Sequence, residues 1–326
     1  MKTILIVVLV LGVLTGFFAW YASFSFKLKP RTDFNLDPAE FSAVISQLRH
    51  DVQELAGTIG TRNTIHDKAL ARAVSYLQKR FEEIGYPPSL QTFQAEGKAV
   101  SNIFTVKDSA VKDSKVFVVG AHYDTVFSTP GADDNTSGVA VLLALMKALC
   151  TRDLNLTIHF VCFVNEEPPF FKTDEMGAFQ YAQMLAKKNL PVSGMISIES
   201  VGYFDSKKGS QHYPLPAMSL LYPDSGDFLA VVGNPNSRTL VTRLTRAYNT
   251  SSPIPVEGAV LPGFIPGVDW SDHWGFWQHG YPAAMVTDTA IFRNPNYHRS
   301  GDLPETLDYE KMYHVYLGLE EFLSKL

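Results

Sequence analysis

Cysteine is almost missing from this chain. Cys150 and Cys162 are the only two in 326 residues. So few cannot build a disulfide framework. One closes a helical stretch and the other lies inside an apolar run, settings in which single cysteines act as small core residues. Also missing is any block of lysine and arginine. The 28 basic and 33 acidic residues leave a net charge of −5, which excludes the electrostatic footprint of a nucleic-acid binder. No internal repeat or low-complexity segment occurs. One stretch lacks charge altogether: Thr3 to Phe26, with Ile4 to Trp20 almost wholly aliphatic or aromatic. As a helix of roughly 24 residues rising about 1.5 Å each it is roughly 36 Å long, enough to cross a hydrocarbon layer of about 30 Å. An Ala-x-Ala cleavage site is absent, which favours an uncleaved anchor over a signal peptide. Lys2 stands on one side and Lys27, Lys29 and Arg31 on the other, so the positive-inside count leaves the orientation open.

Residues 1–26 are therefore expected to form the anchor (or a signal), 27–36 a polar linker and 37–326 one catalytic domain outside the cytoplasm. The domain should be α/β. Helices are expected at Pro38 to Leu55 and Asp67 to Ile84, with Asp37 as N-cap and Gly85 as terminator. Short strands at Ser89 to Gln94 and Val100 to Val106 lead to Lys115 to Gly120, whose unbroken apolar run suits a central strand. A βαβ rhythm follows: helix Ser137 to Leu149, strand Thr157 to Val164, helix Asp174 to Lys188, strand Gly194 to Ile198. A strand near Phe228 to Val232, a helix from Ser237 to Tyr248, an amphipathic turn at Ser271 to His279, a strand at Ala283 to Val286 and a helix from Leu307 to Leu323 complete it.

His122, the pair Glu166 and Glu167, and Glu199 each fall just after an expected strand, where ligands bind in open α/β sheets. Adjacent carboxylates such as Glu166 and Glu167 repel unless a cation shares their charge. A dinuclear zinc site supplies that cation, and its ions, about 3.5 to 4 Å apart, need one short bridging carboxylate, for which Asp134 is the candidate. Of the two glutamates one can ligate while the other serves the attacking water as general base; spacing alone does not say which. Asp124, two residues after His122, is placed to accept the second imidazole N–H and fix its tautomer.

Five segments together resemble metallopeptidase family 28, the co-catalytic zinc exopeptidases: Gly120-Ala-His-Tyr-Asp124, Pro130-Gly-Ala-Asp-Asp134-Asn-Thr-Ser-Gly138, Asn165-Glu-Glu167, Glu199-Ser-Val-Gly202 and Tyr297-His298-Arg-Ser-Gly-Asp302. That family includes secreted bacterial aminopeptidases, glutamate carboxypeptidases and glutaminyl cyclases. The resemblance covers Asp37 to Leu326. It implies a three-layer α/β/α sandwich around a mixed, largely parallel sheet, with two zinc ions per chain. One zinc would be held by His122, Asp134 and Glu199, the other by Asp134, Glu167 and His298. Glu166 would be the general base and Tyr297 an oxyanion donor. The chain departs from the family's usual Asp-Met-Ile-Gly at Glu199-Ser-Val-Gly202, offering a donor one methylene longer.

Ser271-Asp272-His273 matches a turn that in the family often lines the cleft, so Asp272 and His273 are expected behind the ligands or against substrate. His50, His66, His159 and His314 lack ligand companions and read as core or surface residues. Pro168 to Phe171 and Val268 to Trp277 are aromatic segments able to wall a pocket, the first favoured by its adjacency to Glu167, and Asp205 to Asp227 reads as an excursion over the cleft that sets specificity. The Asn-x-Ser/Thr triplets at Asn135, Asn155 and Asn249 read as chance. The expected activity is removal of an amino-terminal residue from peptides. The alternatives are a glutaminyl-cyclase-like acyltransferase working with one zinc, and a non-catalytic binding ectodomain, against which every donor position is retained.

Overall fold

Seven consecutive residues, Val116–His122, form a strand buried along its whole length (β3), and the rest of the molecule is arranged around it. The computed structural model describes residues 36–326, with Gly12 the one isolated residue described before them. The expected anchor and linker therefore lie outside the described residues. Among the described residues no helix is long and apolar enough to cross a membrane.

In chain order the helices are α1 (Pro38–Val52), α2 (Asp67–Ile84), α3 (Gly138–Leu149), α4 (Gly177–Lys187), α5 (Arg238–Ser251), α6 (His273–Gln278) and α7 (Tyr309–Ser324). The other strands are β1 (Ser89–Ala95), β2 (Lys98–Lys107), β4 (Thr157–Phe163), β5 (Val192–Glu199), β6 (Asp205–Lys208), β7 (Ser225–Gly226), β8 (Leu229–Gly233), β9 (Val256–Val260) and β10 (Ala283–Thr287). Eight strands make one sheet in the order β1-β2-β4-β3-β5-β10-β8-β9, and β6 pairs with β7 apart from it. The four central strands run parallel, while β1 and β2, and the step from β10 to β8, are antiparallel. The sheet is thus mixed with a parallel centre.

Side-chain alternation along β3 sends Phe117, Val119 and Ala121 to one face and Val116 and Val118 to the other. The first face is covered by α1, α2, α3, α5 and α7, the second by α4 and α6. Helix ends follow ordinary capping chemistry. Asp37 accepts from the Ala39 N–H at 2.9 Å with Pro38 opening α1, Asp308 accepts from Lys311 N–H at 3.0 Å, and Gly85 ends α2 at φ 102°.

Two differences from the sequence expectation bear on the site. α1 stops at Val52 and continues as wider π-helical turns over Gln53–Ile59, which turn the chain toward the carboxyl end of the sheet. β9 was not foreseen, because its five residues follow a Pro- and Ser-rich turn and carry Gly258 in the middle.

Candidate active site

β3 ends on His122 and its parallel neighbour β5 ends on Glu199, so both donors stand at the carboxyl edge of the sheet rather than in the loops beyond it. Asp134 comes from the loop that precedes α3, and Glu166 and Glu167 from the chain just past β4. His298 comes from the loop between β10 and α7. His122 Nε2 lies 3.3 Å from Asp134 Oδ1 and 3.2 Å from Glu199 Oε2. His298 Nε2 lies 3.0 Å from Asp134 Oδ2 and 3.3 Å from Glu167 Oε2. The donors form two groups of three, each compact enough to hold a metal ion, and Asp134 belongs to both. Glu166 belongs to neither, with its Oε2 3.8 Å from His122 Nε2.

Backbone and side chains behind these donors hold them in place. Glu199 accepts from Ser271 Oγ at 2.8 Å and Ser200 Oγ at 3.0 Å, with Asn135 Nδ2 at 3.4 Å. Asp302 accepts the N–H groups of Asp133 and Asp134 at 2.8 and 3.1 Å, pinning the loop that presents the shared carboxylate. Gly131, at φ 65°, opens that loop; a Cβ there would meet the Asp134 carbonyl oxygen and the Thr125 methyl. Asn165, Ser200 and His298 have φ of 60°, 46° and 56°, left-handed values unusual for residues other than glycine, each beside or at a donor. Such backbone persists where surrounding bonds over-determine it.

Asp124 differs from its expected role. His122 Nδ1 is 3.2 Å from the Asp124 backbone carbonyl and 3.6 Å from its carboxylate, so the carbonyl is the nearer partner of the imidazole. The carboxylate instead accepts the N–H groups of Glu166 and Glu167 at 3.2 and 3.3 Å, tying the end of β3 to the glutamate turn. Asp272 is fully buried with neither carboxylate oxygen hydrogen-bonded, and burial pushes its carboxyl well above the usual range against the opposing pull of His122. His273 turns away: Nε2 meets the Val268 carbonyl at 2.9 Å and its ring stands edge-on to Trp277, so it braces the loop before α6.

Electrostatics separate the carboxylates. Burial raises the Glu166 carboxyl well above its ordinary value; His122 opposes this, while Glu167, Glu199 and Asp272 add to it. Burial also raises Glu167, to about 7, with Asp134 adding to the effect. For Asp134 burial acts in the same sense but is overcome by the imidazoles of His122 and His298 beside it, which hold it below the carboxylate range. Tyr297 keeps its proton, its phenol pushed well up by burial and then by Asp134 and Glu167, and its ring stacks on His298 with centroids 3.9 Å apart.

Beside the donors a cavity of about 810 Å³, open mouth included, runs over β10, β8 and β9 from Glu199 and Tyr297. The excursion 205–227 covers it as expected, contributing Tyr213, Met218 and Tyr222. Of the two aromatic segments, Val268 and Trp270 line this cavity and Pro168 to Phe171 do not, the reverse of the preference from adjacency. A salt bridge of 2.6 Å from Lys172 to Asp269 ties the two segments together. The four unaccompanied histidines stay outside both donor groups, and the Asn135 side chain is buried in hydrogen bonds to Ile198, Gly138 and Ser200.

Sequence reasoning missed Arg62. It is fully buried, and its guanidinium donates to the carbonyls of Leu55, Gly60, Tyr123, Pro130 and Gly131 and to Thr136 Oγ1. It thereby joins the π-helical turn to both segments that carry His122 and Asp134. Burial lowers its pKa to about 10, so it remains charged, with Asp124, Asp302 and Asp134 favouring that charge.

A profile of peptidase family M28 matches residues 102–323. The chain is 42% identical over 281 residues to the uncharacterized protein YfbL of Escherichia coli (strain K12), covering 84% of this chain and 85% of that one. A protein of Pyrenophora tritici-repentis (strain Pt-1C-BFP) named a probable zinc metalloprotease is 23% identical over 237 residues, which is 65% of this chain and 48% of the fungal one. Among solved structures, BSAP, a zinc aminopeptidase from Bacillus subtilis, is similar with a TM-score of 0.69 at 15% identity over 86% of this chain and 95% of that one. A glutaminyl cyclase from Fimbriiglobus ruber is similar with a TM-score of 0.60 at 20% identity over 91% of this chain and 98% of that one. These structural likenesses show the α/β fold. The matched profile contains His122, Asp134, Glu166, Glu167, Glu199, Tyr297 and His298, and on its extent the chain belongs to peptidase family M28.

Proposed function

We propose that this chain is a two-zinc aminopeptidase that removes the first residue of peptides, with Glu166 as general base. The observation that carries this reading is the pair of three-donor groups sharing Asp134, with one further carboxylate, Glu166, close by and outside both. The donors fit cations. His122 Nε2, Asp134 Oδ2, Glu167 Oε1 and His298 Nε2 are buried with no hydrogen-bond partner, a costly state for polar atoms that a metal relieves. A mixed nitrogen and oxygen set suits zinc.

When bound, zinc acidifies water and polarises a carbonyl oxygen. The protein's own contribution begins with Glu166, whose carboxylate takes the proton of the attacking water and whose carboxyl then passes it to the departing amine. Its buried, carboxylate-rich surroundings raise its basicity for that task. Tyr297, still protonated, donates to the oxygen on which negative charge develops. Asp124 keeps the glutamate turn in register with His122. The cavity that begins at Glu199 and Tyr297 receives the side chain of the residue being removed.

The localisation belongs to the same proposal. Glu40 in the first turn of α1 meets Tyr316 well along α7, whereas Arg49 near its end lies over Tyr309 at the start of α7, beside the site. α1 therefore starts at the end of the sheet remote from the donors. We propose that an anchor at 1–26 holds the domain outside the cytoplasm, where the cleft meets soluble peptides.

The test uses the full chain, its metal content and a panel of aminoacyl chromogenic substrates before and after chelation. About two zincs per chain and chelator-sensitive release are expected, and Glu166→Gln should keep the metal while losing about 10²- to 10⁴-fold in kcat. Retained activity in that variant would sink the general-base assignment. The likeness to the glutaminyl cyclase favours a second reading, which cyclisation of a glutaminyl peptide without hydrolysis of any aminoacyl substrate would establish.

A further inference from the structure

β1 is one of the two outer strands of the large sheet, and the hairpin that joins it to β2 fixes which side of its backbone is free. Glu96 and Gly97, with φ of 46° and 76°, form the two-residue turn, and Ala95 pairs with Lys98 across it. The pair that closes such a turn exchanges both of its backbone hydrogen bonds, and along an antiparallel ladder bonded and non-bonded pairs alternate. The register from Ala95 back to Ser89 is unbroken. The N–H and C=O groups of Ser89, Gln91, Phe93 and Ala95 therefore face β2, and those of Leu90, Thr92 and Gln94 face outward. These three residues are exposed, and among the described residues no backbone group bonds to their outward side.

Outer strands invite pairing, and proteins blunt them with charge, proline or shortness. β9, the other outer strand, has five residues and carries Glu257 and Gly258. β1 lacks these devices: Ser89-Leu-Gln-Thr-Phe-Gln-Ala95 holds no charge, proline or glycine. It is also complementary to itself. When a second copy runs antiparallel with Thr92 facing Thr92, Leu90 faces Gln94 and Gln91 faces Phe93. The outward residues then fall on bonded pairs, so every outward N–H meets an outward C=O of the other copy. The same two-fold sets Glu96 opposite Pro88, so no like charges meet at the strand ends, and a Thr–Thr cross-strand pair is itself favourable.

We infer that β1 is the surface through which two copies of this chain associate, their sheets joined into one about a two-fold axis at Thr92. β1 lies three strands from β3, which carries His122, so each copy keeps its own donors and activity per chain does not depend on association. A contact confined to one strand buries less surface than a permanent dimer, so dissociation in the micromolar range is expected.

The test is sedimentation equilibrium of the full chain in density-matched detergent, which should give the mass of two chains in the micromolar range and of one on dilution. Thr92→Lys sets two charges against each other across the axis and should weaken association by about fivefold or more, with metal content and kcat per chain unchanged. Thr92→Cys should form a disulfide between copies, because the Cα atoms of a bonded antiparallel pair stand about 5.5 Å apart, within disulfide reach. Ser89→Cys should not, because the axis leaves its two copies about 20 Å apart along the strands. The wild type, with Cys150 and Cys162, is the blank. Equal cross-linking of the two cysteine variants, or association undiminished in Thr92→Lys, overturns the inference. A single-chain mass throughout the micromolar range also overturns it and leaves the edge to a strand of some other protein. Should Thr92→Lys fail to fold, the position dependence of cross-linking still decides.

Discussion

The His122 half of the site and the His298 half use the same donor types but support them differently. His122 is wholly buried at the end of β3, and its partner Glu199 ends β5 and takes hydrogen bonds from Ser271 and Ser200. His298 and Glu167 sit on loops; the His298 side chain is 31% exposed and leans on Tyr297. One half is built into the sheet, and the other is laid over it. Donors on strands are held by the ladder that makes the sheet, whereas donors on loops open at lower cost. A cation on the loop half should therefore exchange first, and the strand half should keep its ion longer.

The largest effect comes from removing what the halves share. Asp134→Ala deletes a donor from both groups at once, so both ions should be lost and kcat/KM should fall by at least about 10⁴-fold, the scale of several kcal/mol of charge stabilisation. Metal analysis of the purified variant checks this, and one tightly held ion with substantial activity would break the bridging role. A smaller effect separates the halves. His298→Ala should leave one ion per chain, whereas His122→Ala should loosen both, because Asp134 is then tethered only on its exposed side. Stepwise chelation followed by metal analysis distinguishes these outcomes, and equal losses in the two variants would erase the contrast.

That contrast was only half legible in the sequence. Apolar runs that end abruptly on a polar residue marked His122 and Glu199 as strand-end donors, and α2 was bounded from Asp67 to Gly85 by its helical period and a glycine stop. The five family segments placed His298 and Glu167 by resemblance, with no local signal that their loops are more exposed. Arg62 was illegible for a physical reason: its partners are backbone carbonyls, which every residue possesses, assembled from Leu55 to Gly131 only by folding. The row of Glu199, Thr287, Ala230 and Glu257 across β5, β10, β8 and β9 depends on the register of four strands, none of which is set by local sequence alone. Ser271 stood in a recognised turn, yet its hydroxyl rather than the neighbouring His273 reaches a donor.

Ser271 gives a sharper and milder probe of the buried half. Ser271→Ala removes the 2.8 Å hydrogen bond to Glu199 Oε2 and also leaves Ser197 Oγ without its 2.8 Å partner. Loss of such a supporting bond weakens metal affinity by about 10- to 100-fold. The effect should fall on the ion held by His122 and leave the His298 half nearly unchanged. Competition against a chelator of graded strength reads this directly, and a uniform loss at both halves would mean that the two are mechanically one unit.

A last comparison, away from the donors, tests whether acid acts on the site or on the body of the fold. His159 lies on β4, away from the donors, with Nδ1 2.9 Å from the Tyr181 hydroxyl, and burial lowers its pKa to about 4. The unfolded chain takes up this proton near pH 6.5 and the folded chain only near 4, so between those values the unfolded state binds more protons. Stability from this group is complete above pH 6.5 and is lost progressively as pH falls toward 4, by up to about 3 kcal/mol. His159→Gln can still bond Tyr181 and does not titrate. Denaturant unfolding of metal-stripped wild type and variant at pH 7.5 and 4.5 should therefore show a smaller acid loss in the variant. In the metal-stripped protein His122 and His298 act in the opposite sense, since neighbouring carboxylates raise both of their pKa values and favour the folded form in acid. An identical acid loss with and without His159 would assign acid sensitivity to other buried groups, whereas a difference places part of it in the body of the sheet, independent of either half of the site.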